Sequence, residues 1–130
     1  MIPFNKPYVT GNEISYIQEV ISSGKIASNG KFTAKCEHFF EERYGFKRAL
    51  LTTSCTTALE MAALLVDIKP GDEIIVPSYT YVSTANVFEK LGGKVVFADS
   101  CAEFPNLDPD NLEKLITPNT KAIVPMHYAG

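Results

Sequence analysis

From residue 48 onward the chain alternates short apolar runs with helical stretches, and this alternation restricts it to α/β architectures. Residues 48–53 read as a strand. Residues 56–66 read as a helix with Leu59, Ala62, Ala63 and Val66 on one side. Lys69-Pro70-Gly71-Asp72 is a turn, residues 73–76 a second strand, and residues 84–91 a helix. Gly92-Gly93 breaks the chain before a third strand at residues 94–98. Asp108 caps a short helix that has Pro109 at its first position, and residues 121–126 form a fourth strand. The run Ile74-Ile75-Val76 suits a strand covered on both faces. The expected architecture is one mostly parallel sheet of four strands flanked by helices.

The preceding segment is helical. Thr10 opens a helix, with Glu13 completing a capping box, and Ile14, Ile17, Val20 and Ile21 share one face. Gly24 is the stop. After a loop over residues 24–30, a second helix spans residues 32–44, with Phe32, Cys36, Phe39 and Phe40 as its buried stripe and Gly45 as its end. Residues 1–45 are therefore an N-terminal helical segment, and residues 46–130 begin the sheet.

Bulk properties exclude several classes. A formal net charge of −3 argues against a basic nucleic-acid-binding face. The N-terminus lacks a basic segment followed by an apolar run, so no signal peptide is expected. The longest apolar run, residues 61–66, is too short to span a bilayer. Cys36, Cys55 and Cys101 form no CxxC pair, which argues against a disulfide framework and a zinc site and for the reducing cytoplasm. The chain stops just after a strand, where an α/β sheet ordinarily begins a ligand loop, and so reads as a truncation.

Two strand-to-helix junctions carry possible chemistry. The first is Thr52-Thr53-Ser54-Cys55-Thr56-Thr57-Ala58-Leu59, where free amides, the helix dipole and small hydroxyls suit a phosphate. The same residues are also simply good caps. Neither GxGxxG nor GxxxxGK[ST] occurs. The second junction is Pro77-Ser78-Tyr79-Thr80-Tyr81-Val82-Ser83-Thr84-Ala85-Asn86, whose two tyrosines either stack on a flat ring or pack on the sheet edge. Cys55 at a helix start is a possible nucleophile, with His38 or His127 as base; an inert cysteine is the alternative. Glu41, Glu42, Asp108 and Asp110 read as surface or capping acids, and Asp99 lies just past a strand end.

In order and spacing, Ile2-Pro3-Phe4, Gly30-Lys31-Phe32, Phe40-Glu41-Glu42-Arg43-Tyr44-Gly45, Ser54-Cys55-Thr56-Thr57-Ala58-Leu59 and Lys69-Pro70-Gly71-Asp72-Glu73-Ile74-Ile75-Val76-Pro77 match a known pattern. So do Ser83-Thr84-Ala85-Asn86 and Thr120-Lys121-Ala122-Ile123-Val124-Pro125-Met126-His127-Tyr128-Ala129-Gly130. On these stretches the chain resembles the DegT-type nucleotide-sugar aminotransferases along its entire length. The resemblance implies the N-terminal part of the large domain of an aspartate-aminotransferase fold, with pyridoxal 5'-phosphate at a homodimer interface. It implies transfer of an amino group from glutamate to the 4-keto group of a sugar nucleotide, a dTDP-4-keto-6-deoxyhexose, in cell-surface polysaccharide synthesis. Ser54, Cys55 and Thr56 fall where the family holds the cofactor phosphate, with Cys55 in place of a commoner glycine. Tyr81 falls where an aromatic stacks on the pyridine ring, and Asn86 and His127 fall near the substrate. The family's later aspartate, glutamine and Schiff-base lysine have no counterpart within these residues, so the chain alone is expected to be inactive. A non-catalytic phosphate-binding or interaction domain and a Cys55-based enzyme are the other readings.

Overall fold

The computed structural model describes residues 1–128 and divides the chain into two compact units, residues 1–51 and the remainder from Thr52. The Ala129-Gly130 end of the last matching stretch lies outside the described residues.

The first unit holds α1 (Glu13–Ser22) and α2 (Lys31–Tyr44). Only half of the expected capping box forms. The Glu13 carboxylate accepts from the Thr10 N–H at 2.6 Å, the Thr10 hydroxyl at 2.9 Å and the Gly11 N–H at 2.9 Å. Because the Thr10 hydroxyl is turned to that carboxylate, it caps no helical N–H. The N-cap is Asn12, which makes no side-chain cap bond. The Thr10 backbone N–H foremost, then the backbone N–H of Glu13 itself, the Thr10 hydroxyl and the Gly11 N–H, pull the Glu13 carboxyl down from 4.5 to about 2. Within this unit the Tyr16 and Phe32 rings meet at 5.1 Å, and Lys31 pairs with Glu19.

The second helix ends at Gly45, whose φ of 69° is the left-handed conformation that stops a helix at low cost. Its expected stripe is not buried. Phe39 is 57% exposed, Phe40 is 39% exposed, Cys36 is exposed and Phe32 is half-buried. A pair of helices offers too little surface to cover the stripe, so its aromatics pack along one another: Phe39 on Phe40 at 5.6 Å, Phe40 on Tyr44 at 5.9 Å, Tyr44 on Phe46 at 5.7 Å. The expected strand at residues 48–53 is also absent. The segment is irregular, and its amides go to carboxylates instead of a ladder: Ala49 N–H donates to Glu41 at 3.1 Å and Leu51 N–H to Glu37 at 3.2 Å.

The second unit contains α3 (Cys55–Leu65), β1 (Glu73–Pro77), α4 (Ser83–Glu89), β2 (Lys94–Ala98), α5 (Pro109–Leu112), a 3-10 turn (Glu113–Leu115) and β3 (Thr120–Ile123). Among the described residues the sheet has three strands rather than four, in the order β2-β1-β3, and both pairings are parallel. Glu73 pairs with Lys94 on one side and Thr120 on the other, with a register shift between Glu73 and Ile74 toward β3. The last strand stops at Ile123 rather than residue 126, although the Val124 N–H still reaches the Ile75 carbonyl at 2.9 Å. Every residue of β1 is buried, which explains its unbroken apolar run. The core joins Ile74 and Val76 to Ala63 of α3, Ile68, and Ala85, Val87 and Phe88 of α4. Ala62 and Val66, expected on the packed side of α3, are exposed.

One polar group is built into the amino edge of this sheet. Glu73 is only 8% exposed, and its carboxylate accepts from Lys94 Nζ at 2.8 Å and the Thr117 hydroxyl at 2.6 Å. Its own N–H donates to the Asn119 carbonyl at 2.8 Å. The Lys94 ammonium first, and then the Thr117 hydroxyl, hold this carboxyl below its ordinary range.

The glycine pair before β2 is fixed by two different demands. Gly92 has φ +88°, a conformation side chains disfavour. At Gly93 a Cβ would stand 2.5 Å from Ile74 Cδ1, 2.9 Å from Ile68 Cγ2 and 3.2 Å from the Phe88 carbonyl, all within the core. Gly93→Ala should therefore lower stability by about 1–3 kcal/mol through overpacking, read as a reduced urea midpoint. An unchanged midpoint would show that the core yields there. For Glu13, whose folded pKa is depressed, the stabilising bonds are complete above its ordinary 4.5 and are lost as pH falls toward about 2. An NMR titration of its side chain should have its midpoint near 2, and a midpoint of 4.5 would mean that the bonds are not held in solution.

Candidate functional site

Parallel strands place all their carboxyl ends at one edge, and the second unit gathers its polar chemistry there. The first strand runs into Ser78, whose N–H donates to the Ala98 carbonyl at 2.8 Å, and then into the loop that starts α4 at Ser83. The Thr56 hydroxyl donates to the Ser83 hydroxyl at 3.1 Å, which brings the start of α3 beside the start of α4.

Sequence dictates the start of α3. Ser54 has extended backbone and is the N-cap; its hydroxyl accepts the Thr57 N–H at 3.1 Å. Its carbonyl accepts the Ala58 N–H at 3.1 Å and the Thr52 hydroxyl at 2.8 Å. The N–H groups of Cys55 and Thr56 are first-turn donors with no acceptor among the described residues. Two free amides, the positive end of an 11-residue helix and the Ser83 hydroxyl, which accepts from Thr56 and keeps its own proton to donate, make a set of donors suited to an anion. The Cys55 residue is exposed. Among the described residues of the second unit no histidine hydrogen-bonds it, and His127 is exposed. On α2 of the first unit, His38 lies 3.1 Å from the Glu42 carboxylate.

The loop after β1 supplies the aromatic surface. Tyr81 is 72% exposed, and its carbonyl accepts the Thr84 N–H at 2.9 Å, so the residue is anchored while its ring stays free. The Thr80 hydroxyl bonds that of Thr84 at 2.9 Å and stiffens the loop. Ser78, Tyr79, Thr80, Tyr81, Met126 and Tyr128 line a concavity of about 360 Å³. Tyr79 and Tyr128 meet edge to face, with ring centroids 5.3 Å apart and planes at 75°. The neighbouring Tyr128 phenol raises the ionisation of the Tyr79 phenol above its ordinary 10.0.

The residues singled out from sequence thus divide. Ser54, Cys55 and Thr56 come together at one helix start, and Tyr81 lines the concavity on the same edge. Asn86 is exposed on α4 and His127 is exposed between two lining residues, but neither itself lines the concavity. Asp99 is exposed, and its carbonyl accepts the Asp108 N–H at 3.0 Å. Ser83 belongs to the second junction and Met126 and Tyr128 to the last matching stretch, but sequence assigns no role to any of the three, and Asn106 is not singled out at all. Met126 and Tyr128 lie in the segment that follows β3, and that place past a strand end on a parallel sheet is the signal that could have marked them. No group of three His, Cys, Asp or Glu among the described residues could hold a metal, and no described helix is long and apolar enough to cross a membrane.

Comparison with known proteins extends this geometry. The GDP-perosamine synthase of Caulobacter vibrioides is 42% identical over 124 residues, covering 95% of this chain and 33% of that protein. The Streptococcus pneumoniae protein Spr1654, solved in its PMP form, is 34% identical with a TM-score of 0.83 over 95% of this chain and 31% of its own. The E. coli GDP-4-keto-6-deoxy-D-mannose-3-dehydratase with bound hydrated PLP is 28% identical with a TM-score of 0.84, over 95% of this chain and 33% of its own. The chain spans about a third of the length of each. Residues 7–130 match the model of one family, and the chain belongs to that family, the DegT/DnrJ/EryC1/StrS aminotransferases.

Proposed function

We propose that this chain forms the cofactor-cradling N-terminal part of the large domain of a pyridoxal-phosphate-dependent enzyme that moves an amino group from glutamate to the keto carbon of a nucleotide-linked 4-keto-6-deoxy sugar. The observation that carries the reading is the start of α3, where the free amides of Cys55 and Thr56 stand beside the paired hydroxyls of Thr56 and Ser83. Ser54 shapes this turn by capping it, and the Cys55 and Thr56 amides take the phosphate together with the Thr56 hydroxyl, which exchanges its bond to Ser83 for one to the phosphate. The Tyr81 ring covers one face of the pyridine, and Asn86 and His127 lie toward the substrate. The bound cofactor supplies an electron sink for proton movement at the amine-bearing carbon. The residues here orient that sink and do not themselves transfer the proton.

The lysine that holds the cofactor is assigned to a part of the enzyme other than these residues. In the second unit Lys69, Lys94 and Lys121 precede or begin strands, Lys90 follows α4 and pairs with Glu60 at 3.2 Å, and Lys114 lies in the turn leading to β3. None of them follows directly on the carboxyl end of a strand. The 130-residue chain is accordingly proposed to be inactive alone, and the whole enzyme to be a cytoplasmic homodimer serving cell-surface polysaccharide synthesis. The sequence resemblance favours a dTDP sugar, whereas the relative in Caulobacter favours a GDP sugar. The assay decides between them.

The intact enzyme containing this chain should turn over glutamate with either dTDP-4-keto-6-deoxyglucose or GDP-4-keto-6-deoxymannose, read as paired formation of 2-oxoglutarate and an amino sugar. Dehydration at C3 without net amination would reassign the reaction, and no turnover of either sugar would refute the reading. Thr56→Val should weaken cofactor retention by roughly 1.5–3 kcal/mol, the worth of a hydrogen bond to a charged group, measured by dialysis and residual absorbance. Tyr81→Ala should weaken retention more than Tyr81→Phe, because stacking needs the ring and not the hydroxyl. Equal losses from the two changes would mean that the hydroxyl is the working group.

A further inference from the structure

A narrow hairpin follows β2. Ser100 and Leu107 form an antiparallel bridge, the Cys101 N–H donates to the Asn106 carbonyl at 2.9 Å, and the Asp108 N–H closes the base on the Asp99 carbonyl at 3.0 Å. The base is anchored in turn, because the Asp108 carboxylate caps α5 through the Asp110 N–H at 3.0 Å. Asn106 is therefore held by its own backbone, is half-buried, and is left with its side chain free to act elsewhere. Its Oδ1 accepts the backbone N–H of Tyr128 at 2.8 Å.

That bond is set at a point where the chain needs one. Past Val124 the segment leading to Tyr128 makes no further ladder bond among the described residues, yet Tyr128 meets Tyr79 at the 5.3 Å edge-to-face contact that closes one wall of the concavity. Rings at this separation and tilt attract each other, but a ring pair alone does not fix a backbone. The hairpin does so through one amide oxygen. The wall it stabilises is Tyr79, Tyr128 and Met126, which is mostly apolar and aromatic. Such a surface suits the C–H face of a hexose ring, and Tyr81 on the same rim is the residue assigned to the cofactor.

We propose that Asn106 is a positioning residue for acceptor binding: through the Tyr128 N–H it holds the Tyr79–Tyr128 wall against which the hexose ring of the nucleotide sugar lies. The inference rests on the aminotransferase reading for its substrate. Asn106 itself touches neither sugar nor cofactor.

The test uses the intact enzyme with whichever nucleotide sugar the wild type accepts. Asn106→Ala removes the acceptor, and Asn106→Asp keeps one at the same place. In N106A the KM for the nucleotide sugar should rise about fivefold, the worth of one hydrogen bond, with kcat changed by less than about twofold, while N106D stays near wild type. An unchanged KM, a fall confined to kcat, or equal impairment of N106A and N106D would overturn the proposal. Should N106A fail to fold, Asn106→Gln, which displaces the amide by one methylene, takes its place with the same expected outcome. A second readout is independent of activity. Absorbance titration of the tyrosines should show one phenol ionising at higher pH in wild type and N106D than in N106A. If the wild type proves not to transaminate, the functional reading fails alone, and this titration still decides whether Asn106 sets the tyrosine pair.

Discussion

The arrangement of the second unit depends on β1 pairing in parallel on both sides. A parallel neighbour cannot be reached by a tight turn, so each crossing must carry the chain back over a face of the sheet. Between β1 and β2 that crossing is α4, whose Ala85, Val87 and Phe88 cover Ile74 and Val76. Because every strand points the same way, every return starts at the same edge. Helix starts, loop tyrosines and strand ends therefore converge without any special device, and the donors at Cys55 and Thr56 fall among them. The opposite edge is stabilised differently, by Glu73, which binds groups from β2 and from the approach to β3.

Much of this was legible because local chemistry and tertiary context agree. Ile74-Ile75-Val76 is apolar at consecutive positions and is buried on both faces; Gly45 ends α2 in the left-handed conformation its identity permits; Asp108 and Pro109 start α5 as cap and first residue. The misses fall where a segment needs a partner that local sequence cannot specify. Residues 48–53 have strand composition, but their amides meet the carboxylates of Glu37 and Glu41, one helical turn apart on α2. Phe39 and Phe40 have the spacing of a buried face, yet nothing in their unit is large enough to bury them. Thr10 and Glu13 have the spacing of a capping box, and the carboxylate captured the hydroxyl that would have served the helix.

The candidate site divides along the same line. Ser54, Cys55 and Thr56 are contiguous, so their convergence on one helix start could be read directly. Tyr79, Asn106 and Tyr128 come from three separate segments and become neighbours only because β1, β2 and β3 end together. Thr56 and Ser83 are another such pair, each an ordinary helix-start hydroxyl until the sheet places one against the other. No pattern along the chain encodes these meetings; the topology does.

The strand order also has a bearing on synthesis. The central strand of the sheet is the first to leave the ribosome, and its two neighbours follow in turn on opposite flanks. Among the described residues, no strand emerges before its own central partner. Each arriving segment meets an edge already exposed, and that edge, an apolar row prone to pairing with other chains, is open only until the next strand is made. A nascent chain in this order shields its fully buried strand from both sides as translation proceeds.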